Sequence, residues 1–307
     1  MSEFVVAAKE MYPGIDSKIN RQQILSVMRK HNLKWPNFER VSRGVYEFPM
    51  LNINTESESD MEIRIKETFE SLETLVASVA SNTVNSLVVA GAPGLGKSYT
   101  VNKVLEEVSD GDWNYVFHRG YLRPTHLFRL LWENRHKNQT IVLDDTDTVF
   151  FDENALNILK AALELKPVRR IGWGSEKEFI DSDGEEIPRY FDYMGSIIFL
   201  TNLPFREMIS SGSKYAPHLS ALESRSLVLD LKIKSKKEYM VKIKQTIDSG
   251  MLDDKLNKQE QKEIISFLEE NLDKFSDISL RMIEKISNLF LSNPTCWKKL
   301  CKAVCFK

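Results

Sequence analysis

Residues 86–108, SLVVAGAPGLGKSYTVNKVLEEV, combine three local signals in a fixed order. SLVVA is a run of apolar, largely β-branched residues, as in a strand that is buried on both faces. SYTVNKVLEEV has the apolar spacing of an amphipathic helix, and GAPGLGKS between them fits the pattern GxxxxGK[ST]. A strand, a glycine-rich turn and a helix in this order predict a parallel α/β sheet.

The alternation of apolar strands and amphipathic helices continues to residue 232. Such runs are typical of a sheet that helices cover on both faces. The predicted elements are strands at 113–119, 140–145, 196–202 and 226–231 and helices at 125–135 and 154–165. After residue 232 only helical periodicity is present, so we expect an all-helical C-terminal part.

We expect three domains: a small basic module at 1–50, the α/β core at 51–232 and the helical domain at 233–307. Residues 1–50 carry eight Lys/Arg and five Asp/Glu, with Trp35 and Phe38 among the basic residues. This module could dock on nucleic acid or on a protein partner, or it could present a solvated charged face. It is predicted to contain one helix and a short strand at 45–48.

The whole chain has 42 Lys+Arg and 44 Asp+Glu, so contact with nucleic acid would require a local basic patch. No stretch approaches the roughly 20 apolar residues that span a bilayer. The three cysteines lie in CWKKLCKAVC near the C-terminus, an odd count that suits a reducing compartment. We therefore expect a soluble cytoplasmic protein with no membrane partner.

GAPGLGKS predicts a phosphate-binding loop. Glycines at 91, 94 and 96 would let the backbone amides converge on one point, and the following helix adds the positive end of its dipole. Lys97 would place a cation at the β- and γ-phosphates, and the Ser98 hydroxyl would ligate Mg²⁺. The alternative is a chance Gly/Pro turn between a strand and a helix.

Two acids follow an apolar strand in TIVLDDTD, at residues 140–147. In open α/β sheets, ligands bind at the carboxyl ends of the strands. Asp144 would hold Mg²⁺ through its water shell, and Asp145 would orient or deprotonate the attacking water, with Asp147 as a substitute in that second role. The alternative is that the acids cap a helix.

With these motifs, the chain resembles the AAA+ ATPases over roughly residues 60–290. GAPGLGKS is similar to their Walker A motif and IVLDD to their Walker B motif, with Asp145 in place of the usual Glu. The resemblance implies an AAA+ P-loop parallel sheet core with a C-terminal all-helical lid domain, a small N-terminal α/β module, and ATP and Mg²⁺ as cofactors. The implied nucleotide-binding residues are Gly91, Pro93, Gly94, Gly96, Lys97, Ser98 and Tyr99, with Ser98 and Asp144 at the metal.

Three further motifs imply catalytic residues besides Asp145. IIFLTNLP resembles sensor 1, which implies that Asn202 holds the attacking water or the γ-phosphate. HLSALESRS resembles the segment of the arginine finger, so that Arg225 would reach the ATP of a neighbouring subunit, and DISLRMIEKI resembles sensor 2, so that Arg281 would contact the γ-phosphate. The alternatives are a turn residue at Asn202, a surface ion pair of Arg225 with Glu223, and a solvated helix face at Arg281.

Within this superfamily, LDDTDTVFFDENALNILKAALE, RRIGW and SIIFLTNLPF together resemble uncharacterised AAA+ ATPases encoded by tailed bacteriophages. This implies the cytoplasm of a bacterial host. An arginine donated by a neighbour implies a homo-oligomer, and we expect a hexamer in which hydrolysis requires assembly.

HRGYLRP, at 118–124, stands where the family's pore loop lies. Tyr121 and Leu122 would be the pair that grips the substrate, flanked by Arg119 and Arg123. An aromatic among cations suits a single-stranded nucleic acid, whereas the same pair could grip a polypeptide by packing. The alternative is a tyrosine that covers the sheet edge.

Residues 168–195 predict a β-hairpin with an acidic turn, IDSDGEE. The acidic tip argues against direct contact with phosphates. The base of the hairpin, with Arg169, Arg170 and Trp173, is compatible with such contact.

Three functions stay open at this point. We expect an ATPase that moves or remodels nucleic acid, as a phage helicase-like or helicase-loading factor. A protein remodeller that threads a polypeptide is the second. An ATP-gated assembly switch with slow hydrolysis is the third, and Asp145 in place of Glu supports it.

Overall fold

A computed structural model describes residues 4, 7–8, 11, 18–33, 39–42, 45–47, 57–109, 114–174 and 178–307. Contacts within the chain divide it into two units, residues 1–60 and 61–307. The predicted domain boundaries at 50 and 232 stay predictions. In the described part of the chain, no helix has the length and apolar character needed to cross a membrane.

The first unit contains a small antiparallel sheet and a helix. The strands are β1 (Lys18–Asn20), β2 (Glu39–Ser42) and β3 (Val45–Glu47), in the order β1-β3-β2, and the helix is α1 (Arg21–His31). Asn20 and Gln23 form a reciprocal capping box that satisfies the first amides of α1. The predicted helix and strand are confirmed, whereas Trp35, Phe38 and Phe48 lie outside the described residues.

The second unit is built around five parallel strands in the order β12-β4-β11-β6-β5. The strands are β4 (Ser86–Ala90), β5 (Asn114–Arg119), β6 (Gln139–Asp144), β11 (Ser196–Thr201) and β12 (Leu227–Asp230). The helices of its core are α2 (Glu58–Ala80), α3 (Lys97–Val108), α4 (Pro124–Glu133), α5 (Glu153–Ala162), α6 (Phe205–Ser210) and α7 (Ala216–Glu223), with a 3₁₀ turn at Asp147–Phe151. Trp113, predicted to begin β5, lies outside the described residues. The parallel α/β sheet core predicted from the sequence is confirmed.

Alternate residues of the central strands are buried against opposite layers of helices. Val88 and Phe199 pack in one core with α4 and α5, whereas Val89 and Ile198 pack in another with α2 and α3. Because both faces of these strands are buried, their sequences are continuously apolar.

The predicted hairpin before β11 is confirmed. β7 (Arg169–Gly172) pairs antiparallel with β10 (Tyr190–Tyr193), and the shorter β8 (Phe179–Ile180) pairs with β9 (Glu186–Ile187) near the tip. The inward face of β7 and β10 joins the core through Ile171 and Phe191, and the outward face is exposed. Residues 175–177 of this segment lie outside the described residues.

The C-terminal part contains only helices apart from an isolated bridge between Phe275 and Phe306. These helices are α8 (Lys236–Asp248), α9 (Lys258–Glu270), α10 (Leu280–Ser292) and α11 (Trp297–Cys305). Their apolar faces form a separate core that includes Ile264, Ile283 and Trp297. The helical lid predicted from the sequence is therefore present.

Candidate nucleotide site

The glycine-rich loop joins β4 to α3 in a conformation that depends on glycine. Gly94 and Gly96 have φ angles of +74° and +87°, a region that side chains disfavour. A Cβ atom at Gly94 would lie 2.5 Å from Cβ of Ser279, and one at Gly96 would lie 2.9 Å from Cδ1 of Leu280. The two glycines thus serve both the turn and the close approach of the lid.

Lys97 is buried beneath this loop, with 6% of its surface exposed. Its Nζ donates to the carbonyls of Gly91 (2.6 Å) and Ala92 (3.0 Å) and to Oδ1 of Asn202 (2.8 Å). Burial lowers the pKa of Lys97 to about 8, while the carboxylates of Asp145 and Asp144 partly oppose that shift. The structure therefore brings together Lys97, Asn202 and both acids, which are far apart in the sequence.

Asp144 ends β6 beside the first turn of α3. It is 5% exposed, and its Oδ1 accepts a hydrogen bond of 2.9 Å from the Ser98 hydroxyl. A hydroxyl and a carboxylate side by side are hard oxygen donors of the type that Mg²⁺ takes. Ser98 and Asp144 therefore fit the metal position predicted for them.

Asp145 lies on the cavity wall in a left-handed conformation, with φ of +52°. Its Oδ1 accepts from Nδ2 of Asn202 at 2.7 Å. Asp147 instead accepts a bond of 2.6 Å from the Thr201 hydroxyl, and burial raises the pKa of Asp147. The helix that follows is capped by Asp152, so neither Asp144 nor Asp145 serves as its N-cap.

The loop, the two acids and the lid enclose a cavity of about 250 Å³. The lid approaches directly, since the Leu280 amide donates to the Gly94 carbonyl at 2.9 Å and the Tyr239 hydroxyl to the Pro93 carbonyl at 3.2 Å. The lining residues include Gly94, Gly96, Lys97, Ser98, Tyr99, Asp144, Asp145, Asn202, Arg281 and Glu284. Arg281 therefore faces the same space as the phosphate-binding loop.

Arg225 lies at the amino-terminal ends of the strands, on the side of the sheet away from the nucleotide cavity. Ser226, next to it, has its hydroxyl 2.9 Å from that of Ser86, the first residue of β4, whereas the glycine-rich loop follows the last residue of that strand. The guanidinium donates to Oε1 of Glu164 at 2.9 and 3.1 Å, and not to Glu223 as the alternative interpretation supposed. Arg225 is absent from the lining of its own chain's cavity, and its action on a neighbour stays a prediction.

The loop after β5 requires two corrections. Leu122 cannot grip a substrate in this structure because it is 2% exposed and packs in the core with α4. Arg119 points to the nucleotide cavity, where its Nε donates to Oδ2 of Asp144 at 2.9 Å. Tyr121 is 69% exposed and Arg123 is also exposed, so these two stay candidates for substrate contact.

Sequence reasoning missed the contact between Arg119 and Asp144 because it depends on strand register. The two residues are direct partners across β5 and β6, and no local pattern in either strand encodes that alignment. The Ser279–Leu280 contact with the loop was missed for a related reason, since it joins segments far apart along the chain. The Ser279 cap at the start of α10 was the one local signal that pointed to it.

A known phage protein is similar to most of the chain. An uncharacterized 36.7 kDa protein from the nrdC-mobD intergenic region of Enterobacteria phage T4 is 32% identical over 248 residues, covering 80% of this chain and 75% of that protein. The chain belongs to the family of this phage protein. The phage resemblance inferred from the motifs is thereby confirmed. No protein-family model matches this sequence.

Two solved structures show more distant similarity. A mutant of RuvB from Thermotoga maritima is 14% identical, with a TM-score of 0.42 over 81% of this chain and 70% of that one. NtrX from Brucella abortus in complex with ATP is 14% identical, with a TM-score of 0.34 over 75% of this chain and 46% of that one.

Proposed function

We propose that this AAA+ protein hydrolyses ATP with Mg²⁺ in a homo-oligomer and couples hydrolysis to the movement or remodelling of a macromolecule. The observation that carries the proposal is the single cavity into which the glycine-rich loop, Asp144, Asp145, Asn202 and Arg281 all project. These groups come from three strand ends and the lid, and they supply the positioning and charge that phosphoryl transfer requires.

Each residue has a role that its position supports. The loop amides and Lys97 would bind the phosphates, and Arg281 would add positive charge from the lid. Bound at Ser98 and Asp144, Mg²⁺ would neutralise charge on the phosphate oxygens. Asp145, held by Asn202 at 2.7 Å, would orient the attacking water and accept its proton.

Nucleic acid is the macromolecule that the loop after β5 favours. Tyr121 is exposed beside the exposed Arg123, and Leu122 is buried in the core, so the loop presents one ring next to a cation and no aliphatic partner. A lone ring next to a cation suits base stacking better than apolar packing on a polypeptide. We therefore propose a helicase-like or helicase-loading role in a phage-infected bacterium.

An ATP-gated switch with slow hydrolysis is the second candidate. Asp145 carries one methylene fewer than glutamate, and its carboxylate is already bonded to Asn202. In such a switch, binding of ATP would drive assembly and hydrolysis would only reset it.

The steady-state ATPase rate per subunit tests these proposals when it is measured across a tenfold range of protein concentration, with and without single-stranded DNA. A rate that rises with concentration and again with DNA is the expected result. Asp145→Asn is the matched variant, because asparagine also tolerates the left-handed backbone at this position. It should retain ATP binding and lose about 10²- to 10⁴-fold in rate.

Other outcomes separate the alternatives. A rate that rises with concentration but ignores DNA would move the proposal to a polypeptide substrate. Wild-type hydrolysis no faster than that of Asp145→Asn would favour the switch. If Lys97→Ala still bound ATP with wild-type affinity, the cavity would not be the nucleotide site.

A further inference from the structure

A second concave surface lies at the base of the hairpin. It is a groove of about 400 Å³ between the C-terminal end of α4 and strand β10, and we call it the hairpin groove. Its lining residues are Trp132, Arg135, His136, Arg170, Pro188, Tyr190, Phe191, Asp192 and Met194. Arg135 and His136 precede the first residue of β6. The groove therefore lies at the amino-terminal ends of the strands, whereas the nucleotide cavity lies at their carboxyl ends.

The charged side chains that line the hairpin groove are two cations and one acid. Arg135 and Arg170 are present against Asp192, and His136 lies with them. Arg170 and Asp192 are partners across β7 and β10, yet among the described residues neither they nor Arg135 forms an ion pair within 4.0 Å. Both guanidinium groups are therefore available to an anionic ligand.

Arg135 is held in a fixed position by Trp132. Its guanidinium carbon lies 3.5 Å from the centroid of the indole ring, and Nη1 donates to the Trp132 carbonyl at 2.8 Å. The indole Nε1 in turn donates to Oδ2 of Asp181 in the hairpin turn at 3.3 Å. A planar guanidinium stacked in this way keeps its other N–H donors for a phosphate.

Tyr190 provides a rigid aromatic surface beside these cations. The ring is 57% exposed and lies across Gly172, its partner on β7, where a Cβ atom would approach Cε1 of Tyr190 to 2.5 Å. The Arg170 guanidinium lies 5.7 Å from the ring centroid. Since Gly172 supports the ring, stacking on Tyr190 would require little further ordering of the side chain.

We propose that the hairpin groove binds a single-stranded nucleic acid, with Tyr190 stacking on a base and Arg135 and Arg170 contacting the neighbouring phosphates. An exposed ring in one groove with two guanidinium groups that form no ion pair among the described residues suits the bases and phosphates of a single strand. An acidic peptide would use the cations but leave the ring without a partner. This inference rests on the proposed nucleic-acid substrate. It adds a contact at the amino-terminal ends of the strands, whereas Tyr121 lies beyond the carboxyl end of β5.

Fluorescence anisotropy of a labelled oligothymidylate with the full-length chain tests the proposal. Tyr190→Ala should weaken binding roughly 5- to 100-fold, the range of one lost base stack, and Tyr190→Phe should stay within about twofold of wild type. Arg170→Ala should lower the slope of log affinity against log salt by about 0.7, the value for one phosphate contact. Lys66→Ala is the control, because it removes an exposed cation on α2, which packs on the other face of the sheet.

Each remaining outcome would overturn the proposal. Equal affinities of wild type, Tyr190→Ala and Arg170→Ala would place the nucleic acid elsewhere and leave the proposed ATPase intact. Failure of the wild type to bind oligothymidylate, with binding of labelled polyglutamate that depends on Arg170, would assign the groove to an acidic protein. ATPase activity without DNA is a separate readout, since neither variant alters the nucleotide cavity. Arg170 is exposed, so its variant remains informative if Tyr190→Ala fails to fold.

Discussion

Two charged residues of the nucleotide cavity, Lys97 and Asp144, already have partners within the chain. Lys97 donates to two carbonyls of its own loop and to Asn202, and Asp144 accepts from Ser98 and Arg119. A nucleotide and its metal would have to replace several of these contacts. Binding is therefore an exchange of partners, and the affinity depends on how strongly each internal contact competes.

Arg119 is the internal partner whose removal is most informative. Its guanidinium bonds Asp144 at 2.9 Å, and its own side chain is largely exposed, so the pair is worth about 1 kcal/mol. Arg119→Gln should free Asp144 and lower the Mg²⁺ concentration needed for half-maximal metal binding about fivefold. Calorimetric titration of Mg²⁺ into the ADP-saturated protein measures this directly.

Arg123→Gln is the control for Arg119→Gln, because Arg123 is also basic and exposed in the same loop but contacts neither acid. Its Mg²⁺ titration should match that of the wild type. If Arg119→Gln bound Mg²⁺ with unchanged or weaker affinity, Arg119 would not compete with the metal for Asp144.

At the scale of elements, α8 links the lid to the rest of the second unit through Glu238. This carboxylate completes the capping box at the start of α8 and also accepts a 2.7 Å bond from Arg64 on α2. Burial would raise the pKa of Glu238, but hydrogen bonds from the Ser235 amide, Arg64 and the Lys234 amide lower it to about 2. One side chain therefore stabilises both a helix end and a contact between helices.

The stability that Glu238 contributes should depend on pH. Because its pKa is lower in the folded chain than the usual 4.5, the contribution is complete above about pH 5 and is lost as the pH falls toward 2. At pH 7, Glu238→Gln should lower the free energy of unfolding by about 1 to 2 kcal/mol after allowance for solvent screening. Urea denaturation of both proteins from pH 7 to pH 3 should show the difference shrinking as the pH falls.

Glu207→Gln serves as the comparison, since Glu207 makes only an exposed ion pair with Lys234. It should alter stability by a few tenths of a kcal/mol at any pH. A Glu238→Gln difference that stayed constant from pH 7 to pH 3 would show that the ionised carboxylate is not the source of the effect.

The elements that the sequence predicted correctly are those with a strong local signal. SLVVA and SIIFLT are largely apolar because both faces are buried, and GAPGLGKS marks its own turn. Contacts such as Arg119 with Asp144 or Leu280 with Gly94 depend on strand register and lid docking, which no local pattern encodes. The burial of Leu122 was missed because its neighbours Tyr121 and Arg123 are exposed and the segment has no regular period.

For the whole molecule, the two ends of the sheet carry different parts of the proposed machinery. The cavity with Lys97 lies at the carboxyl ends of the strands, and Arg225 lies at the amino ends, beside Glu164. Arg225 does not line its own chain's cavity, and we propose that it serves the cavity of an adjacent copy. Assembly would therefore complete the site proposed here.

Mixing inactive variants tests this complementation. Arg225→Ala subunits keep an intact cavity, and Lys97→Ala subunits keep an intact arginine. In an equal mixture, about one interface in four would join an intact cavity to an intact arginine, so about a quarter of the wild-type ATPase rate should return. A mixture of Lys97→Ala with Asp145→Asn should stay inactive, because both changes damage the cavity and no interface restores it. Recovery in the control mixture would indicate contamination with active protein. No recovery with Arg225→Ala would mean that Arg225 acts within its own subunit's fold, through Glu164, and that another residue completes the site.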